Sequence, residues 1–299
     1  MKQKKSLKAW FFATRPWSFT ASGLSVLAAL VYLAWLGCEV DWTLGILAIV
    51  GIVLFHAAGN TWSDYHDFKK GVDNDEAICI DTLTKGHFSP GEIRTLSLTL
   101  LLLGIGVGLY LMVQSGWWLL LIGVGGLLCT LLYPPLKYRA LGDLVILLAY
   151  GFLPALGTSY VALGEVDWRV LWMAVPVGLL VDAILHANNT RDMVSDGRAH
   201  IRTMAMEMGV RASVVLYVLE QLVPFVWVVV LIPFGVFPLS AFLAVVVMRF
   251  ALRNTRLMRE YGETGDPAII APLDQLSAQV QMLFVVAMVA AMGIDLWIR

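Results

Sequence analysis

Charged residues are scarce in this sequence. Asp, Glu, Lys and Arg make up 14% of the 299 residues, and hydrophobic residues make up 59%. A soluble globular domain carries about 25% charged residues, and here the mean hydropathy is positive as well. The composition excludes a soluble globular protein. It indicates an all-α, polytopic membrane helical bundle that forms a single domain over residues 1–299.

Cysteine is also scarce, and its spacing excludes two kinds of site. The three cysteines, Cys38, Cys79 and Cys129, show no pair spacing typical of a metal site or a disulfide framework. An unbroken apolar stretch near the N-terminus is lacking too, because Arg15 and Pro16 interrupt the first one. A cleavable signal peptide needs such a stretch. The first membrane helix is therefore expected to be retained.

Long apolar runs are abundant, and each transmembrane helix needs about 20 mostly apolar residues. The sequence predicts about nine spans in two diverged halves around one central cavity. The predicted spans are 17–37, 43–63, 94–113, 117–133, 143–163, 169–190, 211–232, 236–253 and 277–298.

The distribution of basic residues predicts how these spans are oriented in the membrane. If the N-terminus lies in the cytoplasm, all 21 Lys and Arg residues except Arg169 and Arg299 fall on the cytoplasmic side. Such an asymmetry is what the positive-inside rule predicts for a correct count. We therefore expect an integral membrane protein with its N-terminus and its polar loops facing the cytoplasm. A bacterial cytoplasmic membrane is the expected location, and an organellar membrane is left open.

An acidic segment, residues 188–203, directly follows the apolar run 170–185. It contains two Asn, two Asp and three Arg. Asp192 and Asp196 are spaced i, i+4, so on a continuous helix their Cβ atoms lie about 6 Å apart. Two carboxylates that close repel each other. The pair is therefore expected to bind a cation.

A second acidic segment, residues 60–73, also follows an apolar run. Asn60, Asp64 and Asp67 are spaced i, i+4, i+7 and form one stripe of a helix. Asp73 and Asp75 come after Gly71, so they extend the acidic stretch. Taken alone, either segment is also compatible with a solvated connector between two helices.

The two acidic segments occupy matching places in the chain. They follow the second and sixth predicted spans, so their helices run in the same direction through the membrane. The chain thus has the form of a diverged repeat with one acidic motif per copy. Mg²⁺ takes oxygen ligands, typically one or two carboxylates plus substrate phosphates. The two motifs together therefore predict a Mg²⁺-dependent phosphate site between the halves.

These motifs resemble those of a known family. Asn60-x-x-x-Asp64-x-x-Asp67-x-x-x-Gly71-x-Asp73 and Asn188-Asn-Thr-Arg-Asp192-x-x-x-Asp196 are similar to the two aspartate motifs of the UbiA superfamily of membrane prenyltransferases. Residues 15–22, 136–143 and 184–193 resemble the branch that prenylates 1,4-dihydroxy-2-naphthoate. Two positions depart from the pattern. Ser63 stands where a second Asn is frequent, and Asp81 stands where close relatives have Arg, which makes Lys85 the local substitute.

The resemblance implies an activity: Mg²⁺-dependent transfer of a polyprenyl group from its diphosphate to 1,4-dihydroxy-2-naphthoate, giving demethylmenaquinone. It implies membrane lipid and these two substrates as partners, without nucleic acid, and leaves prenyl chain length and oligomeric state open. The implied metal ligands are Asn60, Asp64, Asp67, Asp192 and Asp196. The implied diphosphate-binding residues are Arg15, Asn60, Lys85, Asn189, Arg191 and Arg202. The implied catalytic residues are Asp64, Asp192, Lys137 and Tyr133, whose ring would shield an allylic cation.

Simpler interpretations exist for two of these residues. Tyr133 also fits an interfacial anchor, and Lys137 also fits a cytoplasmic charge that sets topology.

One further pair lies inside a predicted span. Asp182 and His186 are spaced i, i+4, and ionisable groups within a membrane usually face a cavity or a partner. Either they hydrogen-bond to each other, or His186 is a catalytic residue that contacts the acceptor's hydroxyl or carboxylate. His56, one turn before Asn60, is its counterpart in the first half. Glu220 is isolated in the sequence, and no role is predicted for it.

Two other functions compete with this prediction. Within the same family, the acceptor could be 4-hydroxybenzoate or another aromatic or lipid alcohol. From a different class, a cation-coupled membrane transporter would also combine a repeat with acidic residues. Transporter acids are expected near the membrane midplane at broken helices. Here the acidic motifs lie at the ends of spans with bases beside them, which favours phosphate chemistry.

Overall fold

The protein is a bundle of α-helices, as the composition predicts. The structure is a computed structural model that describes residues 5–72 and 81–298. Asp73, Asp75 and Cys79 lie outside the described residues. We number the helices α1 (Leu7–Ala13), α2 (Phe19–Trp35), α3 (Trp42–Lys70), α4 (Pro90–Ser115), α5 (Leu119–Lys137), α6 (Gly142–Leu163), α7 (Leu171–Arg191), α8 (Met193–Arg198), α9 (Met204–Leu231), α10 (Met248–Thr264) and α11 (Leu273–Ile298).

The prediction of about nine spans agrees with this architecture. Within the described ranges, eight helices are long and apolar enough to cross a membrane. The remaining predicted span, 236–253, is divided between a 3₁₀ helix, Leu239–Val247, and the start of α10. The apolar part of that segment is therefore shorter than the other spans.

The helices approach closely where small residues face each other. A Cβ atom added to Gly151 would lie 3.1 Å from the Cα of Gly178, so α6 and α7 touch at their backbones. Small residues of this kind drive helix association inside membranes, where no hydrophobic force acts between helices. Next to this contact, residues Leu147–Phe152 of α6 form a π-helical turn. Such turns often occur at functional sites because they redirect side chains.

Both acidic segments are more helical than the predicted spans indicated. The second span was expected to end near residue 63, but α3 continues to Lys70 and therefore contains Asn60, Asp64 and Asp67. Gly71, with a φ of 76°, ends the helix in the left-handed conformation that glycine adopts without strain. In the second segment α7 ends at Arg191 and α8 begins at Met193. The Asp196 amide still donates to the Asp192 carbonyl at 2.8 Å, so the helical spacing of the two aspartates persists.

A backbone contact joins the two loops beside the acidic segments. The Ala140 amide donates to the Arg202 carbonyl at 2.7 Å, and the Arg202 amide donates to the Tyr138 carbonyl at 3.2 Å. Ala140 has a left-handed backbone, with a φ of 62°. A left-handed non-glycine residue is strained and persists only where its surroundings hold it. The loop after α8 is thereby fixed to the end of α5.

Candidate active site

Both acidic motifs face one cavity of about 760 Å³. Its polar end combines carboxylate, amide and basic side chains from the two halves of the chain. These include Arg15, Asn60, Asp67, Lys137, Asn189, Arg191, Asp192, Asp196 and Asp274. The rest of the wall is mainly apolar, with side chains from α3 to α7. The predicted convergence of the two motifs on a central cavity is therefore present in the fold.

Asp67 is held by three hydrogen-bond donors. The Tyr138 hydroxyl donates to Oδ1 at 2.6 Å. The Ser63 hydroxyl and the Lys137 ammonium donate to Oδ2 at 3.1 and 3.3 Å. Ser63, which replaces the family's more frequent Asn, thus still supplies a polar group to this motif.

Asp64 lies one turn away and is paired with Arg15. Its side chain is buried, and its Oδ1 accepts a hydrogen bond from the Arg15 guanidinium. Arg15 follows α1 and has a left-handed backbone, with a φ of 59°. Arg15 lines the cavity, whereas Asp64 lies behind it. In this structure Asp64 therefore does not line the cavity itself but orients Arg15, which does.

The second motif is organised around Arg191. Its guanidinium donates to both carboxylate oxygens of Asp192 at 2.8 Å, a bidentate pair. It also donates to Asp274 at 3.1 Å and to the Asn188 side chain. All three guanidinium nitrogens are thus occupied. In this structure Arg191 orients Asp192 and joins α7 to α11.

Asn189 and Asp196 complete the second motif. Both are buried and line the cavity. Within the described part of the chain, the Asn189 Nδ2 atom has no hydrogen-bond partner. An unpaired buried amide nitrogen costs about 1–3 kcal/mol. An acceptor group at this end of the cavity, such as a phosphate oxygen, would remove that cost.

The carboxylates do not by themselves form a metal cage. In residues 5–72 and 81–298, no three His, Cys, Asp or Glu side chains lie close enough to hold a metal ion together. Mg²⁺, however, usually takes only one or two carboxylates and fills its other positions with phosphate oxygens and water. The donor set fits that arrangement, because carboxylates and amides of two motifs face one cavity.

One stripe of α5 forms a wall from the polar end into the apolar part. Gly126, Thr130, Tyr133 and Lys137 are spaced 4, 3 and 4 residues apart, and all line the cavity. Tyr133 therefore stands between the basic end and the apolar region. Its position matches the predicted role of shielding a cation, and that role remains a prediction.

His186 lies away from the cavity, in a place the sequence did not indicate. It is fully buried and is not among the cavity-lining residues. Its Nδ1 lies 3.4 Å from Glu220 and 3.7 Å from Asp143. Neither expectation for it is met by this geometry, since a contact with the acceptor needs a cavity position and no hydrogen bond to Asp182 forms among the described residues. Glu220, which has no partner in sequence, is a neighbour of His186 on another helix.

This placement gives a prediction for His186. His186→Gln is expected to leave the KM for the acceptor unchanged, because the side chain does not reach the cavity. It is expected to lower thermal stability, because a flexible glutamine side chain does not fill the fully buried space of the imidazole ring. His87→Gln, at an exposed histidine, is the control in the same melting and kinetic assays. A raised acceptor KM without loss of stability would restore the catalytic role.

Two predicted diphosphate ligands also lie outside the cavity. The Arg202 side chain is 76% exposed and pairs with Glu207 at 2.8 Å. Its guanidinium is directed to the surface because its backbone forms the contact with the α5 loop. Lys85 is exposed in the turn that follows a short helix, Asp81–Thr84. Neither residue is among those that line the cavity.

Two single substitutions test whether Arg15 binds the diphosphate and Arg202 does not. Arg202→Ala is expected to leave Mg²⁺-dependent diphosphate release unchanged, since an exposed ion pair contributes about 0–1 kcal/mol. Arg15→Ala, at a cavity position, is expected to raise the KM for the prenyl diphosphate. The two kinetic profiles are compared at fixed ionic strength. A large loss in Arg202→Ala alone would show that the loop closes over the substrate.

Three residues of the site were missed in the sequence. These are Tyr138, Ser18 and Asp274, whose positions in the sequence match neither acidic motif. Asp274 stands in the first turn of α11, where an acid is common for helix-dipole reasons. Its distance in sequence from the two motifs does not indicate a role in the site. Only the fold brings it to Arg191.

Comparisons with known proteins agree with this geometry. The sequence matches the UbiA prenyltransferase family over residues 22–269. The UbiA prenyltransferase domain-containing protein 1 homolog of Drosophila melanogaster is 37% identical over 227 residues, which cover 73% of this chain and 63% of that protein. The chain therefore spans less than two thirds of the length of that relative. The 1,4-dihydroxy-2-naphthoate octaprenyltransferase of Bacillus subtilis is 31% identical, covering 74% of this chain and 73% of that protein.

Solved structures share the fold at low sequence identity. A UbiA homolog from Aeropyrum pernix K1 has a TM-score of 0.66 and 13% identity, covering 93% of this chain and 98% of that chain. A UbiA homolog from Archaeoglobus fulgidus, bound to GPP and Mg²⁺, has a TM-score of 0.59 and 15% identity, covering 95% and 99%. Together with the sequence match across most of its length, the shared fold leads to one conclusion: this chain belongs to the UbiA prenyltransferase family.

Proposed function

We propose that this protein transfers a polyprenyl group from its diphosphate to 1,4-dihydroxy-2-naphthoate in the presence of Mg²⁺, giving the reduced, quinol form of demethylmenaquinone for menaquinone biosynthesis. One observation carries the proposal: a single cavity receives both acidic motifs at one end and is mainly apolar beyond them. A prenyl diphosphate has the same division, with a charged head and a long hydrocarbon tail.

The charges at the polar end explain the need for a divalent cation. Four carboxylates, Asp67, Asp192, Asp196 and Asp274, line the cavity with three basic side chains, Arg15, Lys137 and Arg191. All three bases are already paired with carboxylates: Lys137 with Asp67, Arg191 with Asp192, and Arg15 with Asp64 behind the cavity wall. A diphosphate would therefore meet an acidic surface and be repelled. Added cations remove this repulsion.

The residues that would hold Mg²⁺ are Asn60, Asp67, Asp192 and Asp196, with Asp64 behind them. When bound, the metal would neutralise the diphosphate and stabilise it as a leaving group. The Archaeoglobus fulgidus homolog, which shares this fold, is bound to GPP and Mg²⁺. That similarity supports, for this chain, a diphosphate between the two motifs.

The chain's own residues would bind and orient the reacting groups. Arg15 and Lys137 line the polar end and would neutralise the departing diphosphate as the bond from C1 of the prenyl group to oxygen breaks. The electron pair of that bond leaves with the diphosphate. The ring face of Tyr133 would stabilise the allylic cation left behind, through a cation–π interaction. The ring carbon that bears the carboxylate then attacks C1. The carboxylate leaves as CO₂, and the electron pair of the broken C–C bond restores the aromatic ring.

The choice of acceptor rests on relatives. The Bacillus subtilis relative, at 31% identity, is named for 1,4-dihydroxy-2-naphthoate. An alternative acceptor is 4-hydroxybenzoate. A cation-coupled transporter is less well supported, because the acids inside the spans, Asp143, Asp182 and Glu220, are buried and do not line the cavity. The distribution of Lys and Arg supports an active site that faces the cytoplasm.

Product analysis tests the proposal. Protein purified in detergent is incubated with Mg²⁺, a series of prenyl diphosphates, and either 1,4-dihydroxy-2-naphthoate or 4-hydroxybenzoate. Mass spectrometry should detect a prenylated naphthoquinol that has lost the carboxylate. Detection of prenylated 4-hydroxybenzoate in its place would show that 4-hydroxybenzoate is the acceptor. The absence of any prenylated product, with the protein folded, would contradict the enzyme assignment.

A further inference from the structure

His56 is a buried residue of the first half that the proposed chemistry does not use. It lies one turn before Asn60 on α3 and is 7% exposed at the cavity wall. Its ring packs against Tyr150 of the π-helical turn, with centroids 4.7 Å apart, and against Phe19 at 5.7 Å. Both ring nitrogens contact serines that precede or begin α2. Its Nδ1 is 2.9 Å from Ser22 Oγ and its Nε2 is 3.3 Å from Ser18 Oγ.

The amide of Asn60 has a definite orientation. The Thr14 carbonyl oxygen, 3.0 Å away, can only accept a hydrogen bond, so the Asn60 atom that faces it is Nδ2. The same Nδ2 donates to Ser18 Oγ at 3.0 Å. Both amide hydrogens are thus taken. The side-chain oxygen Oδ1 of Asn60 is therefore the atom available to coordinate a cation in the cavity.

The hydrogen bonds of Ser18 fix the role of His56. The single hydroxyl hydrogen of Ser18 goes to the Arg15 carbonyl at 2.8 Å. Its oxygen accepts from Asn60, so the remaining neighbour, His56 Nε2, must also be a donor. Neutral His56 with its proton on Nε2 satisfies this requirement. Nδ1 then accepts from the Ser22 hydroxyl at 2.9 Å, which is closer than that hydroxyl's other acceptor, the Phe19 carbonyl at 3.2 Å. His56 thereby fixes the Ser18 hydroxyl group. That hydroxyl is in turn hydrogen-bonded to the Asn60 amide and to the Arg15 carbonyl.

We propose that His56 is a positioning residue for the first motif: through Ser18 it keeps the Asn60 oxygen directed toward the bound cation. This inference rests on the proposed function, because it assumes that a divalent ion binds there. Removing His56 would let Ser18 rotate away, so that of these two contacts only the one with the Thr14 carbonyl would still orient the Asn60 amide, and the amide would turn over more readily. A turned amide would present its NH₂ group to the metal and repel it.

Metal binding without turnover tests this role. Mn²⁺ affinity is measured by electron paramagnetic resonance, in the presence of a non-hydrolysable geranylgeranyl thiolodiphosphate. His56→Phe keeps the ring packing and removes both nitrogens. It should weaken Mn²⁺ binding about 10-fold, as loss of partners that orient metal ligands commonly does. Ser22→Ala, which removes only the Nδ1 contact, should weaken it less. In an Asn60→Ala background, His56→Phe should cause no further loss, because its effect passes through Asn60.

The outcomes separate this inference from the proposed function. Unchanged Mn²⁺ affinity in folded His56→Phe, with tight binding by the wild type, would overturn the positioning role and leave the function intact. Full additivity with Asn60→Ala would overturn it as well, since His56 would then act by another route. A wild-type protein that binds no Mn²⁺ with the analogue would overturn both. Melting curves for each variant show whether a loss reflects unfolding.

Discussion

Asp192→Asn is expected to lower diphosphate release by about 100-fold or more, the order of magnitude lost when an active site loses one preorganised electrostatic contact. The Asp192 carboxylate lies at the cavity and accepts two hydrogen bonds of 2.8 Å from Arg191. Asparagine keeps the shape of the side chain but removes its charge. It also places an NH₂ group against the guanidinium, so the bidentate pair is lost. Release of diphosphate from geranylgeranyl diphosphate, with Mg²⁺ and acceptor present, is the measurement.

A matched control separates the local effect from a general one. Glu263→Gln removes a negative charge at an exposed position of α10, and its activity should equal that of the wild type. Asp274→Asn removes the second carboxylate partner of Arg191 and should cause a smaller loss than Asp192→Asn, because Asp192 remains in place. Equal activity in Asp192→Asn and the wild type would contradict a role for the second motif in releasing diphosphate.

The sequence predicted those features that depend on local spacing. Long apolar runs predicted the membrane helices, and the i, i+4, i+7 spacing of Asn60, Asp64 and Asp67 predicted one face of a helix. The even number of spans between the motifs predicted that their helices run in the same direction. The second predicted span nevertheless ends at residue 63, because the apolar residues end there. Polar residues at a cavity can continue a helix, as α3 does to Lys70.

The sequence did not predict which side chains meet across the bundle. Asp67 is held by Tyr138, 71 residues later in the chain. His186 was compared only with Asp182, its neighbour at i, i+4, whereas its closest acids, Asp143 and Glu220, lie on other helices. Helix rotation decides such contacts, and an apolar helix buried on most sides gives little periodic signal for that rotation.

Gly126→Phe is expected to change which prenyl diphosphates the protein accepts. Gly126 lies on the α5 stripe that lines the cavity, seven residues before Tyr133 and thus about 10 Å farther along the helix. A Cβ atom there meets nothing within 4 Å, so the space is open. A phenyl ring would occupy the path of a long hydrocarbon tail. Overpacking of this kind costs about 1–3 kcal/mol. The kcat/KM for geranylgeranyl diphosphate should therefore fall about tenfold or more, while dimethylallyl diphosphate, which is too short to reach the ring, remains a substrate.

The ratio of the two kcat/KM values distinguishes this steric effect from a loss of folded protein, since unfolding lowers both equally. Gly293→Phe is the matched control, because Gly293 also has open space around its Cβ position but is exposed on α11 and does not line the cavity. Its ratio should equal that of the wild type. An unchanged ratio in Gly126→Phe would mean that the prenyl tail does not run along α5. The tail would then have to follow another wall of the cavity, and the position of Tyr133 beside the reacting carbon would lose its support.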